Sequence, residues 1–348
     1  MAAMRRRILI TGVSRFLGLR LAKRLEHEDV DVVGVDLDEP VVPVENMEFV
    51  RCDIRNPLIA RVVEATKVDT IVHTNIASEP ARLGGRAGMK ENNVIGTMQL
   101  LAAAQRARRI RRVVVKSSTA VYGMQPGEPS IISEDHAAQQ TDLRGYGRDC
   151  AEAETYVRDF GRRRPDVALV ILRTQNVVGP TVRTSLAGYL SLPVIPTALG
   201  FDPRLQLLHE EDAVEALWLA LDDDARGIFN IAGGGIVYLS QAIRILGRRR
   251  LPLLLPAAAV TADVLRRTGL VDFPVDQLNL IVHGRVVDIR RARERLGFVP
   301  RYDTRAALED FRDNRDAATV QKPGSHPAWE RELFEYLKNK VDQERERV

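Results

Sequence analysis

The chain has 348 residues, 45% hydrophobic and 5% aromatic, with 51 Lys and Arg against 47 Asp and Glu for a formal net charge of +4. That length holds one large domain or two ordinary ones, with room for a substantial core. The basic residues lie in short clusters at 5–7, 108–112, 162–164 and 248–250; with so few aromatics to stack on bases, this argues against a nucleic-acid partner.

From its first residues the chain runs into the β-branched stretch 7–11, leaving no expectation of a secretory leader. A helix carrying Leu17, Leu21 and Leu25 follows, then strands at 31–36, 47–51 and 69–74. Next come a helical stretch from Asn93, a strand at 112–118 and another at 167–173. Near-continuous apolar strands alternating with helices predict an α/β fold, a doubly wound parallel sheet of Rossmann type covered on both faces. Such a sheet binds its ligand at the carboxyl ends of its strands.

Three segments are expected: 1–175 as a dinucleotide-binding domain, 176–312 as a smaller α/β substrate domain exchanging some chain with the first, and 313–348 as a charged helical tail. In the tail Trp329, Leu333, Leu337 and Val341 are spaced as one helix face. That stripe predicts docking on the chain itself or on a second subunit in a homodimer. The longest apolar run, 251–260, is short for a bilayer and contains two prolines, so no membrane partner is expected. The two cysteines, Cys52 and Cys150, give no disulfide framework or metal spacing, so a cytoplasmic setting and no metal are expected.

The stretch ILITGVSRFLG reads as a strand turning tightly into a helix. Gly12 and Gly18 take the first and third places of a six-residue glycine pattern, and Arg15, Phe16 and Leu17 open the helix whose backbone N–H groups would face a pyrophosphate. The middle glycine is absent. Asp36 ends the second strand, placed to accept hydrogen bonds from a ribose diol; its charge favours NAD over NADP, while Arg15 pulls toward NADP. Asp53 and Ile54, after the third strand, would meet the adenine. The plain structural reading makes the glycines a packing turn and Asp36 a strand-end cap. His209 reads as a structural hydrogen bonder and Asp212 as the cap of the following helix.

With TGVSRFLG, NNVIGT, SSTAVYG, YGRDCAEAE, ILRTQNVVGP, LLHEEDAVEA and RRARERLGFVP in this order, the chain resembles the extended short-chain dehydrogenase/reductase family. Within it the likeness is to the NAD-dependent nucleotide-sugar epimerase/dehydratase branch (UDP-glucose 4-epimerase-like), in a divergent actinobacterial form. The resemblance runs over about 7–312 and implies NAD as cofactor and a nucleotide sugar as substrate. It implies that Ser118 bonds the reacting hydroxyl, that Tyr146 is the general base, that Asn93 braces the cofactor end and that Asn176 contacts the nucleotide diphosphate. Thr74, with Asn75 and Ile76, stands where small alanines usually flank the cofactor.

One departure bears on the chemistry. Cys150 occupies the place of the lysine that in this family holds the nicotinamide ribose and favours the tyrosine phenolate. Lys116, two residues before Ser118 on the same strand face, is a candidate replacement; its plain alternative is a lysine that reaches solvent or pairs with a local acid. Two readings stand: an NAD-dependent enzyme with an altered site, or a dinucleotide-binding sensor or partner-binding protein without turnover.

Overall fold

The computed structural model describes residues 5–123, 129–136, 143–254, 282–314 and 335–337. Strand β1 (Arg6–Thr11) leads through the glycine turn into helix α1 (Phe16–Leu25), then β2 (Val30–Asp36), β3 (Met47–Arg51), α2 (Ile59–Thr66) and β4 (Thr70–His73). Helix α3 (Arg86–Lys90) runs through a π-turn (Glu91–Gly96) into α4 (Thr97–Arg106), followed by β5 (Arg112–Ser118), α5 (Gly145–Arg163) and β6 (Ala168–Thr174). The second half contributes β7 (Val177–Val178), α6 (Ser185–Leu190), β8 (Val194–Ala198), β9 (Arg204–Leu205), β10 (Leu208–His209), α7 (Glu210–Leu219) and β11 (Gly227–Ile231). It continues with β12 (Val237–Tyr238), α8 (Leu239–Ile245), β13 (Arg249–Leu253), β14 (Gly284–Arg285), α9 (Arg290–Leu296) and α10 (Thr304–Asp313).

Seven strands form one parallel sheet in the order β11-β6-β5-β4-β1-β2-β3. The chain winds outward from β1 to β3, then crosses to β4 on the other side of β1, so a topological switch point lies between β1 and β4. Alternation along β1 sends Leu9 to one apolar layer and Ile8 and Ile10 to the other. The sheet is therefore buried on both faces, as its β-branched strands require. Strand β11 comes from the second half of the chain yet pairs with β6. A third apolar cluster joins α6, α8 and α10 around Leu186, Ile243 and Leu308.

His209 precedes α7 and caps it, its Nδ1 accepting from the Glu211 N–H at 3.2 Å while Nε2 meets Asp310 at 3.0 Å. Asp212 is not the cap. It lies inside the helix and accepts the backbone N–H groups of Arg301 and Tyr302 at 2.9 and 3.1 Å, because the imidazole already satisfies the helix start. Of the tail, Trp329, Leu333 and Val341 lie outside the described residues. Tyr336 donates its hydroxyl to Glu48 at 2.6 Å, and Tyr336 and Leu337 pack on the main core. Among the described residues no helix is long and apolar enough to cross a membrane.

His73 ends β4 wholly buried, bonded to the Thr11 hydroxyl at 2.7 Å and the Thr97 hydroxyl at 2.9 Å. Burial, reinforced by the Lys116 charge, pushes its pKa down to about 3. A depressed pKa means the fold prefers the neutral ring, so its stability is complete above the unfolded value near 6.5 and lost as pH falls toward about 3. Chemical denaturation between pH 7 and 4 is expected to lose up to about 1.4 kcal/mol per pH unit from this group. His73→Asn should remove that part of the slope; an unchanged slope would assign it to carboxylates.

Candidate active site

The glycine turn is built by two close approaches. Gly12 has φ +74°, a conformation that costs glycine least, and donates its N–H to the Val35 carbonyl at 2.9 Å. A Cβ there would lie 3.1 Å from both the Thr74 hydroxyl and the Asn75 Cα; one on Gly18 would lie 2.3 Å from the Gly12 carbonyl oxygen. The missing side chains therefore leave a cradle against residues 74–75, with α1 starting directly over the turn. Thr74 donates its hydroxyl to the Thr11 carbonyl at 2.7 Å. The side-chain oxygen of Asn75 is buried beside this cradle without a partner, an acceptor left for a bound group.

Arg15 adopts φ −89°, ψ 158°, which any residue takes. Its position does not need glycine for conformation. Asp36 accepts from the Ser14 N–H at 3.1 Å, the Ser14 hydroxyl at 2.5 Å and the Leu37 N–H at 2.8 Å. It thus caps the turn and retains the free lone pairs of a carboxylate for a diol. Asp53 is held by the Arg55 guanidinium at 2.6 Å, and Ile54 is buried beneath Gly96.

Asn93 lies in the π-turn between α3 and α4, a helical irregularity frequent at functional sites. Its side chain pairs with the backbone of Ala77, accepting at 2.9 Å and donating at 2.8 Å. The segment after β4 is fixed by this pair of hydrogen bonds.

The Tyr146 hydroxyl is where β5, α5 and the segment after β4 meet. Tyr146 stands in the first turn of α5 and is 8% exposed. Lys116, half-buried on β5, places its Nζ 3.3 Å from the Tyr146 hydroxyl and 3.4 Å from the Ile76 carbonyl oxygen. Ser118, whose Oγ accepts from the Ala120 N–H at 3.1 Å, and the buried Cys150 thiol both act on the Tyr146 phenol. Burial pushes the phenol well above its ordinary value, the Cys150 thiol reinforces this, and Ser118 draws it back. Burial pushes the Cys150 thiol up to about 12. It is neutral at physiological pH.

Beyond this cluster, β14 delivers Arg285. Its guanidinium is 6% exposed, bonds the Thr119 hydroxyl at 3.0 Å and leaves Nε buried without a partner. Burial lowers its pKa to about 10, with Cys150 and Tyr146 acting in the opposite sense. Asn176, half-buried after β6, has no side-chain partner among the described residues and holds β10 through its carbonyl. The structure thus brings Ser118, Tyr146, Cys150 and Lys116 to one point, Gly12, Gly18, Thr74 and Asp36 to the neighbouring turn, and Asn93 to the wall joining them. Asp53 lies out along β3. Ser14 and Arg285 escaped the sequence reading: Ser14 looks like turn filler, and Arg285 is one arginine among many on a two-residue strand. Groups of His, Cys, Asp and Glu able to hold a metal are absent among the described residues.

A profile of the NAD dependent epimerase/dehydratase family matches residues 8–232. An uncharacterized protein of Mycobacterium tuberculosis is 42% identical over 334 residues, covering 93% of this chain and 88% of that one. Among solved structures, the UDP-glucuronic acid 4-epimerase of Bacillus cereus in complex with NAD aligns with TM-score 0.67 at 20% identity, over 88% of this chain and 98% of that one. The UDP-glucose 4-epimerase of Thermotoga maritima with UDP-glucose aligns with TM-score 0.68 at 18% identity, over the same 88% and 98%. At such identities the two structures speak for the fold.

Proposed function

The chain belongs to the NAD dependent epimerase/dehydratase family, and we propose that it uses NAD to oxidise and re-reduce a carbon of a nucleotide sugar, as an epimerase or a dehydratase. The observation that carries this reading is the Tyr146 hydroxyl, gathered with Ser118 and Lys116 beside the glycine turn. The cradle at Gly12, the orphaned Asn75 oxygen and the Asp36 carboxylate fit a dinucleotide, with Arg15–Gly18 at its pyrophosphate, Asp53 and Ile54 toward its adenine, and Thr74, Asn93 and Tyr146 along its nicotinamide half. NAD supplies a hydride acceptor that later returns the hydride. Ser118 orients the sugar hydroxyl, and Tyr146 removes its proton and gives it back. Arg285 and Asn176 offer unspent donors to an anionic substrate, as a nucleoside diphosphate is.

The second reading is dinucleotide binding without turnover. It is favoured by the neutral Cys150 in place of a cation and by the side chain at Arg15, which keeps a phosphate from backbone donors worth about 1.5–3 kcal/mol each toward a charged acceptor.

Native mass spectrometry of freshly purified protein is expected to find NAD, not NADP, bound. Incubation with UDP-glucose, UDP-galactose or UDP-glucuronic acid is expected to give an epimer or a dehydrated product by liquid chromatography. A protein that carries NAD and leaves all three sugars unchanged would establish the second reading; one that takes up neither dinucleotide would overturn both.

A further inference from the structure

We propose that Lys116, from strand β5, supplies the positive charge that Tyr146 needs and that Cys150 in the next turn of α5 cannot give. A free phenol is about 0.1% ionised at neutral pH, and burial of Tyr146 makes ionisation harder still. A cation must therefore stand against its oxygen if it is to take a proton. Lys116 is the amine in that place, with Nζ 3.3 Å from the phenol oxygen and 6.0 Å from the ring centre.

Its position is built. Lys116 and Ser118 leave the same face of β5, so the strand that presents the hydroxyl-orienting serine also presents the amine. The second anchor of the amine, the Ile76 carbonyl at 3.4 Å, lies in the segment that Asn93 fixes through Ala77. Among the described residues Lys116 forms no ion pair, so an acid-neutralised lysine does not describe it. Burial lowers its pKa; the Cys150 thiol and Glu79 oppose this, and Arg15 adds to it. The other groups facing the pair are the neutral His73 from β4 and the Arg285 guanidinium from β14.

Lys116 acts through the phenol and is a positioning residue. In the proton transfer the substrate O–H bond breaks, the Tyr146 O–H bond forms, and the ammonium keeps its own protons throughout. Its consequence for turnover rests on the enzymatic reading above, but its geometry does not.

The test is an ultraviolet tyrosinate titration of the NAD-saturated protein, with Tyr146→Phe subtracted to isolate one of the seven tyrosines. Lys116→Met is expected to raise the Tyr146 midpoint by about 1–3 pH units, the usual effect of an opposite charge at this range. Lys116→Met with Cys150→Lys should bring it back. Lys116→Gln replaces the methionine variant if that one fails to retain NAD. Identical titrations in wild type and variant, including no Tyr146 ionisation in either, would overturn the proposal. No turnover is needed, so a chain inert toward every sugar would remove the enzymatic reading and still leave this titration to judge Lys116.

Discussion

Arg173→Met is expected to destabilise the fold by about 3–5 kcal/mol, the usual penalty for leaving a buried charge without its partner. Arg173 and Glu154 are 5% and 1% exposed, with Nη2 2.7 Å and Nε 3.0 Å from the carboxylate oxygens. Ser117 on β5 donates to the same carboxylate at 2.7 Å, and Arg173 donates to the Tyr122 hydroxyl at 2.8 Å. Tyr122 in turn donates to Asn230 on β11 at 2.7 Å. The network therefore ties α5, which carries Tyr146, to β5, which carries Ser118. Burial raises the Glu154 carboxyl pKa, and the Arg173 bonds more than offset it, leaving it below its ordinary value. In wild type this stability is present above the unfolded value near 4.3 and lost as pH falls through the folded one. Without Arg173 the carboxyl swings upward, and the sign reverses: the variant loses stability as pH rises past about 4.3. Urea denaturation at pH 5 and pH 8 should show the larger deficit at pH 8, moderated by Arg158, which also bonds Glu154 at 2.7 Å. Adding Glu154→Gln should recover most of the loss. A deficit equal at both pH values would mean that packing, not charge, is what Arg173 contributes.

How far such features could be read beforehand depended on whether they leave a local pattern. The strands and the doubly wound order were legible because burial on both faces writes continuous β-branched runs such as 113–115. The glycine turn was legible because two positions tolerate no Cβ. Lys116 was visible as a charge inside an apolar strand, and one strand period fixed its side relative to Ser118. Long-range pairings leave no such trace. Nothing near Asp36 announces that Ser14 will bond it, and nothing near Arg285 says that β14 will carry it beneath Thr119, 166 residues away in sequence. Asp212 misled because an acid before a helix resembles a cap, and only the fold brings Arg301 and Tyr302 to it. That β11 returns to the first sheet is likewise a tertiary fact, written in pairing with β6 and not in its own residues.

Tyr146→Phe is expected to lower turnover of a nucleotide sugar by about 10²- to 10⁴-fold, the range for removing a positioned general base. At 1.36 kcal/mol per tenfold this is about 2.7–5.4 kcal/mol of barrier. The substitution removes only the hydroxyl, and the ring keeps its place in the main apolar cluster, so the melting temperature should change little. NAD affinity, measured by calorimetry, should fall by no more than about tenfold, since the substitution removes at most one net hydrogen bond, worth about 0.5–1.5 kcal/mol. The loss should therefore fall on kcat and leave KM nearly unchanged, the mark of an interaction made only in the transition state. The phenylalanine variant also leaves Lys116 with the Ile76 carbonyl as its remaining bonded partner among the described residues. Wild-type turnover in Tyr146→Phe would place the base elsewhere and take Ser118, Lys116 and the α5 turn out of the chemistry together.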